Sequence, residues 1–479
     1  MLGGALIPFL GFKESKTRQF YVSAVVLLTT ILALAFIFLG PREGFTAIQF
    51  SEKLSLAFRL DGMGAVFGSL VAFLWPLATC YAFEYMKHEG KENKFFSFYT
   101  ITFGVTLGIA FAANLLTLYL FYELLTLVTL PLVIHKMDPR ALSAGKKYLI
   151  YSMCGAALIF IGLIFVINYG TTLDFRLGGV LSRDAVFLHG KTLRQVFVLT
   201  FFGFGVKAAM FPAQSWLPSA SVAPTTVTAL LHAVAVVKAG VFAIMRVTYF
   251  IFGTGFLRGT SFQDIVMAAA LVTILYGSLK AFLSKHFKRR LAYSTISQLS
   301  YIILAATLMS ETGLQSGLMY MIGHALSKIV LFYCAGAVLY QTHADRQYIV
   351  QLAGLGQKMP ITFACFTIAA LSLMGIPPMV GFVSKYELLI AIFHNGSFLA
   401  KLGLGVIGIS IFLTAGYMLE IIKIAYFEEF VPSAEGSEIR DPNGYMTIPL
   451  VILTAAVLLL GFLGQPLLSF FALVATGGV

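Results

Sequence analysis

Long apolar runs separated by short polar joints occupy the chain almost from end to end. A spanning helix needs about 20 predominantly apolar residues to cross hydrocarbon. Runs of this kind cover residues 1–11, 19–40, 60–85, 95–112, 114–135, 144–169, 193–213, 224–250, 262–283, 290–309, 315–340, 360–393, 400–427 and 445–472. The pattern predicts an all-α polytopic membrane protein with about fourteen transmembrane helices. The first run is too short to span untilted, and the fourth and fifth are nearly continuous. The longest joints, 41–59, 170–192 and 428–445, leave no room for a soluble domain. Within the first of them AIQFSEKLSLAFRLDG alternates polar and apolar in places, which fits a small hairpin and fits a plain loop.

Composition agrees with that class. Of 479 residues 59% are hydrophobic and 11% charged, against about 25% charged in soluble domains, and the mean hydropathy is +0.89. The net charge of +12 does not imply nucleic acid, because the bases sit at the ends of apolar runs rather than in one dense stripe. Cys80, Cys154, Cys334 and Cys365 lie singly in apolar runs, without the spacing of a zinc site or cluster, and read as small core residues. No cofactor or metal is expected. The opening MLGGALIPFLGF lacks a basic stretch ahead of its apolar residues, so it reads as a short first helix ending near Lys13 and not as a cleaved signal peptide.

With fourteen spans, the joints after odd-numbered helices share one side and hold seventeen lysines and arginines, against nine after the even-numbered ones. The positive-inside rule then places a multi-pass chain in the cytoplasmic membrane with both termini on the extracytoplasmic side. The acidic joint 428–441 falls on the cytoplasmic side, and acids contribute little to the rule.

Charges at membrane depth carry the functional signal, since burying one ammonium costs about 2.5 to 3.5 kcal/mol on insertion scales. Glu123 lies mid-run with no base in its own segment, so its partner must come from another helix, and Lys207 is the natural one. A static ion pair is the structural alternative. Pro212, Pro218 and Pro224 follow Lys207 and predict a helix break, where freed carbonyls at membrane depth need side chains or water. His232 and Lys238 lie six residues apart, about 120° around an ideal helix. His324 and Lys328 share a face at i and i+4; no third ligand accompanies them, so titration is a better reading than zinc. The run 360–393 is again broken, at Pro377 and Pro378, with Lys385 and Glu387 close behind.

Two proline-broken runs, each with a lysine, are the pattern of an internally repeated transporter. The expected organisation is residues 1–94 as helices one to three, 95–252 as a first five-helix repeat, 260–427 as a second, and 428–479 as the acidic joint and helix fourteen. An odd number of helices per repeat makes the two inverted.

The segments FYELLTLVTLPL, GVKAAMFPAQSWLPSASVAPTTVTALLHA, GHALSKIVLF and GIPPMVGFVSKYELL, together with FRLDGMGAVF, resemble the motifs of the antiporter-like membrane subunit family. Its members are Mrp-type cation/proton antiporter subunits, the proton-channel subunits of respiratory complex I and related subunits of membrane-bound hydrogenases. The resemblance covers nearly the whole chain from about Phe58. It implies a lateral proton path at the membrane midplane with a half-channel in each repeat. Glu123 resembles the modulating glutamate, Lys207 the first-half lysine, His232 and Lys238 the central relay, His324 and Lys328 its continuation, and Lys385 the terminal lysine. A carboxylate held beside a buried lysine favours the ammonium, and moving it away favours release of the proton. The implied role is a non-catalytic, proton-translocating subunit of a membrane-bound oxidoreductase complex of the hydrogenase or complex I kind; the alternative is the D-type member of an Mrp Na+/H+ antiporter without a redox partner. The implied partners are other membrane subunits, further antiporter-like and small Mrp-type ones among them, an iron–sulfur redox module, and the bilayer. Any redox chemistry would lie in those partners.

Overall fold

The computed structural model describes residues 1–430 and 439–478. The acidic joint expected at 428–441 therefore lies mostly outside the described residues. Among them, nine helices are long and apolar enough to cross a membrane. Other expected spans pass through the bundle with more polar surfaces. Phe287–Thr307 is one: it carries Lys288, Arg290 and Gln298, yet nearly all of it is buried. It is shielded by other helices, so lipid does not set its composition.

Helix starts are capped by short polar side chains. Asp61 Oδ1 accepts from Gly64 N at 2.8 Å, Asn114 Oδ1 from Thr117 N at 2.8 Å, Asp138 Oδ1 from Ala141 N at 2.6 Å and Ser310 Oγ from Gly313 N at 3.1 Å. The Asn114 cap separates Glu92–Ala110 from Leu115–Val133, the two runs that are nearly continuous in sequence. The joint 41–59 is a hairpin, with Phe45–Gln49 antiparallel to Ser55–Phe58 and a bulge between Thr46 and Ile48. The first helix is Leu2–Leu10, and Met1 packs against Gly104, partway along Glu92–Ala110.

Several boundaries differ from expectation. The run placed at 193–213 forms Arg183–Lys207, so the joint expected to reach residue 192 is already helical, with one kinked residue at His189. Its first turns are mostly exposed and mix charged with apolar residues, a composition that hydropathy reads as loop. The run at 360–393 is two helices, Pro360–Met374 and Val380–Asn395. The final run is Gly444–Phe462 followed by Gly464–Thr476. Lys288 and Arg290, counted as joint bases, are buried at the start of a helix. Cys334 and Cys365 are core residues, but Cys154 is exposed, a correction to the reading of all four as core.

At the centre lies Thr225–Phe252, every residue of which is buried. Its path is not regular: Leu230–Val234 and Val247–Phe252 are π-helical, flanking Val236–Arg246. It packs against Arg183–Lys207 on one side and against Phe287–Thr307 and Glu311–Gln341 on the other. The polar residues of interest therefore lie on helices surrounded by other helices.

Candidate proton pathway

The first helix break creates the first charged site. Arg183–Lys207 ends at Lys207, the chain turns through Ala209 at φ +55°, and helix resumes only at Trp216–Ala220. Pro212 lies in the gap, where a missing N–H costs no helical hydrogen bond. The Val206 carbonyl accepts from Ala209 N at 3.0 Å and from Trp216 Nε1 at 2.7 Å, and Phe211 N donates to Thr273 Oγ1 at 3.1 Å. Lys207 is thus the last residue of a helix, where the negative end of the backbone dipole favours a cation.

Lys207 is 1% exposed, and its Nζ lies 3.6 Å from Glu123 Oε1, whose side chain is 21% exposed. The ammonium also donates to the Tyr122 carbonyl and lies 3.5 Å from the Tyr122 ring centroid. Tyr122 is itself held by its hydroxyl, which donates to Phe204 O at 3.0 Å. Tyr122 thus positions the lysine from two directions, and no sequence signal pointed to it.

Gly240 joins this site to the central helix. A methyl there would sit 2.6 Å from Ala208 N and 3.0 Å from the Lys207 carbonyl carbon, so only glycine lets the backbones meet. Two residues before it, Lys238 contacts His324 Nδ1 on Glu311–Gln341, both side chains being buried. His232 lies in the π-helical turn, so the ideal 120° between it and Lys238 does not describe their relation. Its Nε2 is 3.5 Å from Ser221 Oγ, and its ring lies 4.7 Å from that of Phe332. Lys328, one turn beyond His324, donates to Leu291 O at 3.1 Å and to Ser294 Oγ.

The second break has a different solution. Pro360–Met374 ends on Gly375 at φ +90°, Pro377 and Pro378 fill the gap, and Val380–Asn395 carries Lys385 back under the broken end. Lys385 Nζ donates to Leu373 O at 2.6 Å and Met374 O at 3.0 Å. A methyl at Gly375 would meet Lys385 Cδ at 2.8 Å. Lys385 is thus held by helix-end carbonyls, not by a carboxylate, and Glu387 forms no ion pair with it among the described residues.

Direct contact therefore links Glu123 with Lys207 and Lys238 with His324, while His232, Lys328 and Lys385 are buried nearby on separate partners. A cavity of about 1010 Å³ opens among the joints after Gly62–Glu89, Leu115–Val133 and Ser261–Leu283, lined by His88, Lys136, Arg140 and Arg289, so these joints share one face. It reaches Ser221 and the buried Lys288, whose Nζ donates to Ala223 O at 2.7 Å. Among the described residues no three His, Cys, Asp or Glu side chains are grouped for a metal ion.

The profile of the family described as "NADH:quinone oxidoreductase/Mrp antiporter, TM" matches residues 112–414, and that of "NADH-Ubiquinone oxidoreductase (complex I), chain 5 N-terminus" matches residues 48–96. The chain belongs to the NADH:quinone oxidoreductase/Mrp antiporter family. It is 30% identical over 438 residues to the chloroplastic NAD(P)H-quinone oxidoreductase subunit 5 of Chara vulgaris, covering 86% of this chain and 64% of that protein. It is 29% identical over 413 residues to NADH-quinone oxidoreductase subunit N of Desulforudis audaxviator, covering 84% of this chain and 80% of that one. The fold matches a chain of the Mrp complex from Dietzia sp. DQ12-45-1b with TM-score 0.85 at 21% identity, covering 99% of this chain and 94% of that one. A chain of the archaeal membrane-bound sulfane sulfur reductase matches with TM-score 0.86 at 23% identity, covering 99% and 95%. These relatives are subunits of multi-subunit membrane complexes.

Other polar features of this antiporter-family chain escaped sequence reasoning. Arg246, fully buried, pairs with Asp61 through two contacts of 2.5 Å and lies among the rings of Phe175, Phe242 and Phe250. The Asp of FRLDGMG was visible only as part of a motif. Arg290 donates to Glu420 Oε2 at 2.5 Å and Tyr417 O at 2.9 Å. For Arg246 a lone arginine near the end of an apolar run was the one available signal, while Arg290 sits in the basic cluster 288–290 and reads as a topology marker.

Proposed function

We propose that this chain is a proton-translocating, non-catalytic subunit of a multi-subunit membrane complex of the oxidoreductase kind, and that Glu123, Lys207, His232, Lys238, His324, Lys328 and Lys385 form its proton path. The observation that carries the reading is the burial of the six basic groups on neighbouring helices, with Lys207 paired to the partly exposed Glu123 at 3.6 Å at one end and a carbonyl-held lysine at the other. A structural role alone needs one such pair, whereas titratable groups repeated across the bundle fit a path. In the proposed cycle Glu123 holds the proton on Lys207, separation of the pair releases it toward Lys238, and His324 and Lys385 receive it in turn.

Residues 95–252 and 260–427 act in this reading as two inverted repeats, each with a broken helix. The basic joints face the cytoplasm and the chain ends are directed to the opposite face of the cytoplasmic membrane. Partners are further antiporter-like and small membrane subunits, with redox chemistry, where present, in an iron–sulfur module of the same complex. Sodium movement would fall to partner subunits, because this lysine series offers no set of oxygen ligands.

The test is Lys207→Ala and Glu123→Gln in the assembled complex, reconstituted in sealed vesicles with a pH-sensitive dye inside. Each variant is expected to assemble and to lose coupled proton movement. A variant that assembles and pumps at the wild-type rate refutes the path. Native mass measurement of the gently solubilised complex separates an assembly with iron–sulfur subunits from one with only Mrp-type subunits.

A further inference from the structure

His324 and Lys385 are not in direct contact, yet both line a small pocket of about 10 Å³, together with Gln298, Ser327, Ser372 and Ser384. That volume is on the order of one water molecule. The hydrogen-bond pattern around it is specific. Tyr320 OH donates to Gln298 Oε1 at 2.5 Å, which fixes the amide and leaves Nε2 as its free donor. Gln298 Nε2 and His324 Nε2 are both buried without a protein partner among the described residues. His324 Nδ1 is occupied by Lys238. Two of the three positions on Lys385 Nζ are taken by Leu373 O and Met374 O, leaving the third for a hydrogen or a lone pair. The hydroxyls of Ser327 and Ser372, 2.9 Å apart, add acceptors on the same wall.

Resting on the proton-path reading above, we propose that this pocket binds a single water molecule that carries the proton between His324 and Lys385, with Gln298 as the residue that positions it. Gln298 Nε2 donates to the water oxygen and orients it. Lys238 passes a proton to His324 Nδ1, His324 Nε2 gives its own proton to the water, and the water gives one of its protons to the free lone pair of Lys385. One N–H bond breaks for each that forms, the water is regenerated, and His324 is left in the other tautomer. The amide contributes no proton. Its role is geometric, and Tyr320 keeps it from rotating.

The experiment uses the assembled complex in two measurements. A cryo-EM map fine enough to resolve waters is expected to show one peak within about 3.2 Å of Gln298 Nε2. Gln298→Met, which keeps the length but removes the donor, is expected to lose that peak and to slow proton movement about tenfold or more. Gln298→Glu, which when protonated keeps an O–H donor and an acceptor for Tyr320, is expected to retain both. Lys207→Ala and Lys385→Ala run alongside. If those two still pump, the proton path itself fails and the water link falls with it. If they stop while Gln298→Met pumps at the wild-type rate, or the wild-type map has no peak there, the water link alone is overturned. Should Gln298→Met not assemble, the wild-type map decides.

Discussion

Arg246 offers a test of the packing logic that does not depend on what the chain transports. Its guanidinium is fully buried and makes two contacts of 2.5 Å with Asp61, the residue that caps Gly62–Glu89. Hydrogen bonds to charged groups contribute about 1.5 to 3 kcal/mol each, so two give a gross of about 3 to 6 kcal/mol. Removing one partner of a buried pair costs about 3 to 5 kcal/mol, because the other charge remains stranded. Asp61→Asn is therefore expected to destabilise the chain by about 3 to 5 kcal/mol. Asp61→Asn combined with Arg246→Met is expected to be less destabilised than Asp61→Asn alone, since no charge remains buried and the apolar methionine fits among Phe175, Phe242 and Phe250. The assay is unfolding of the purified complex in mixed micelles by titrating denaturing detergent, read by protease resistance of this subunit. An Asp61→Asn chain within about 1 kcal/mol of wild type, or a double variant worse than the single, would refute the argument.

Three other perturbations follow from the same geometry. Gly240→Val puts a branched side chain where a methyl would already lie 2.6 Å from Ala208 N, so it should push the central helix off the Lys207 break at a cost of about 1 to 3 kcal/mol, measurable in the same titration. Trp216→Phe removes one of two hydrogen bonds to the Val206 carbonyl, which keeps that of Ala209 N at 3.0 Å, and is expected to cost about 0.5 to 1.5 kcal/mol while leaving the Glu123–Lys207 pair within reach, which a cryo-EM map can check. Gly375→Ala must hold φ +90° and crowd Lys385 Cδ at 2.8 Å; a cost of about 1 to 3 kcal/mol and displacement of Lys385 from Leu373 O are expected.

Much of the bundle was legible because hydrocarbon demands long apolar helices and tolerates titratable groups only with a reason. The Glu123 run showed a carboxylate without a base on its own helix, and the prolines at 212, 377 and 378 marked where helices stop. Polar helices were harder to bound. Arg183–Lys207 begins ten residues before the run that hydropathy finds, and the burial of Lys288 and Arg290 was hidden by their place in a basic cluster.

Sequence alone determined the class, the approximate spans, the two breaks and the burial of Lys207, His232, Lys238, His324, Lys328 and Lys385, since each follows from the local cost of placing a residue in lipid. Tertiary structure decided which groups meet. Lys238 faces His324 across helices, Lys385 is held by carbonyls and not by Glu387, and Arg246 reaches back to Asp61. It also decided which apolar residues face out: Cys154 is exposed and Cys334 buried, though both lie in equally apolar runs. The physical reason is that lipid and protein interior are alike in polarity, so the hydrophobic pattern separates membrane from water but does not say which face of a helix meets another.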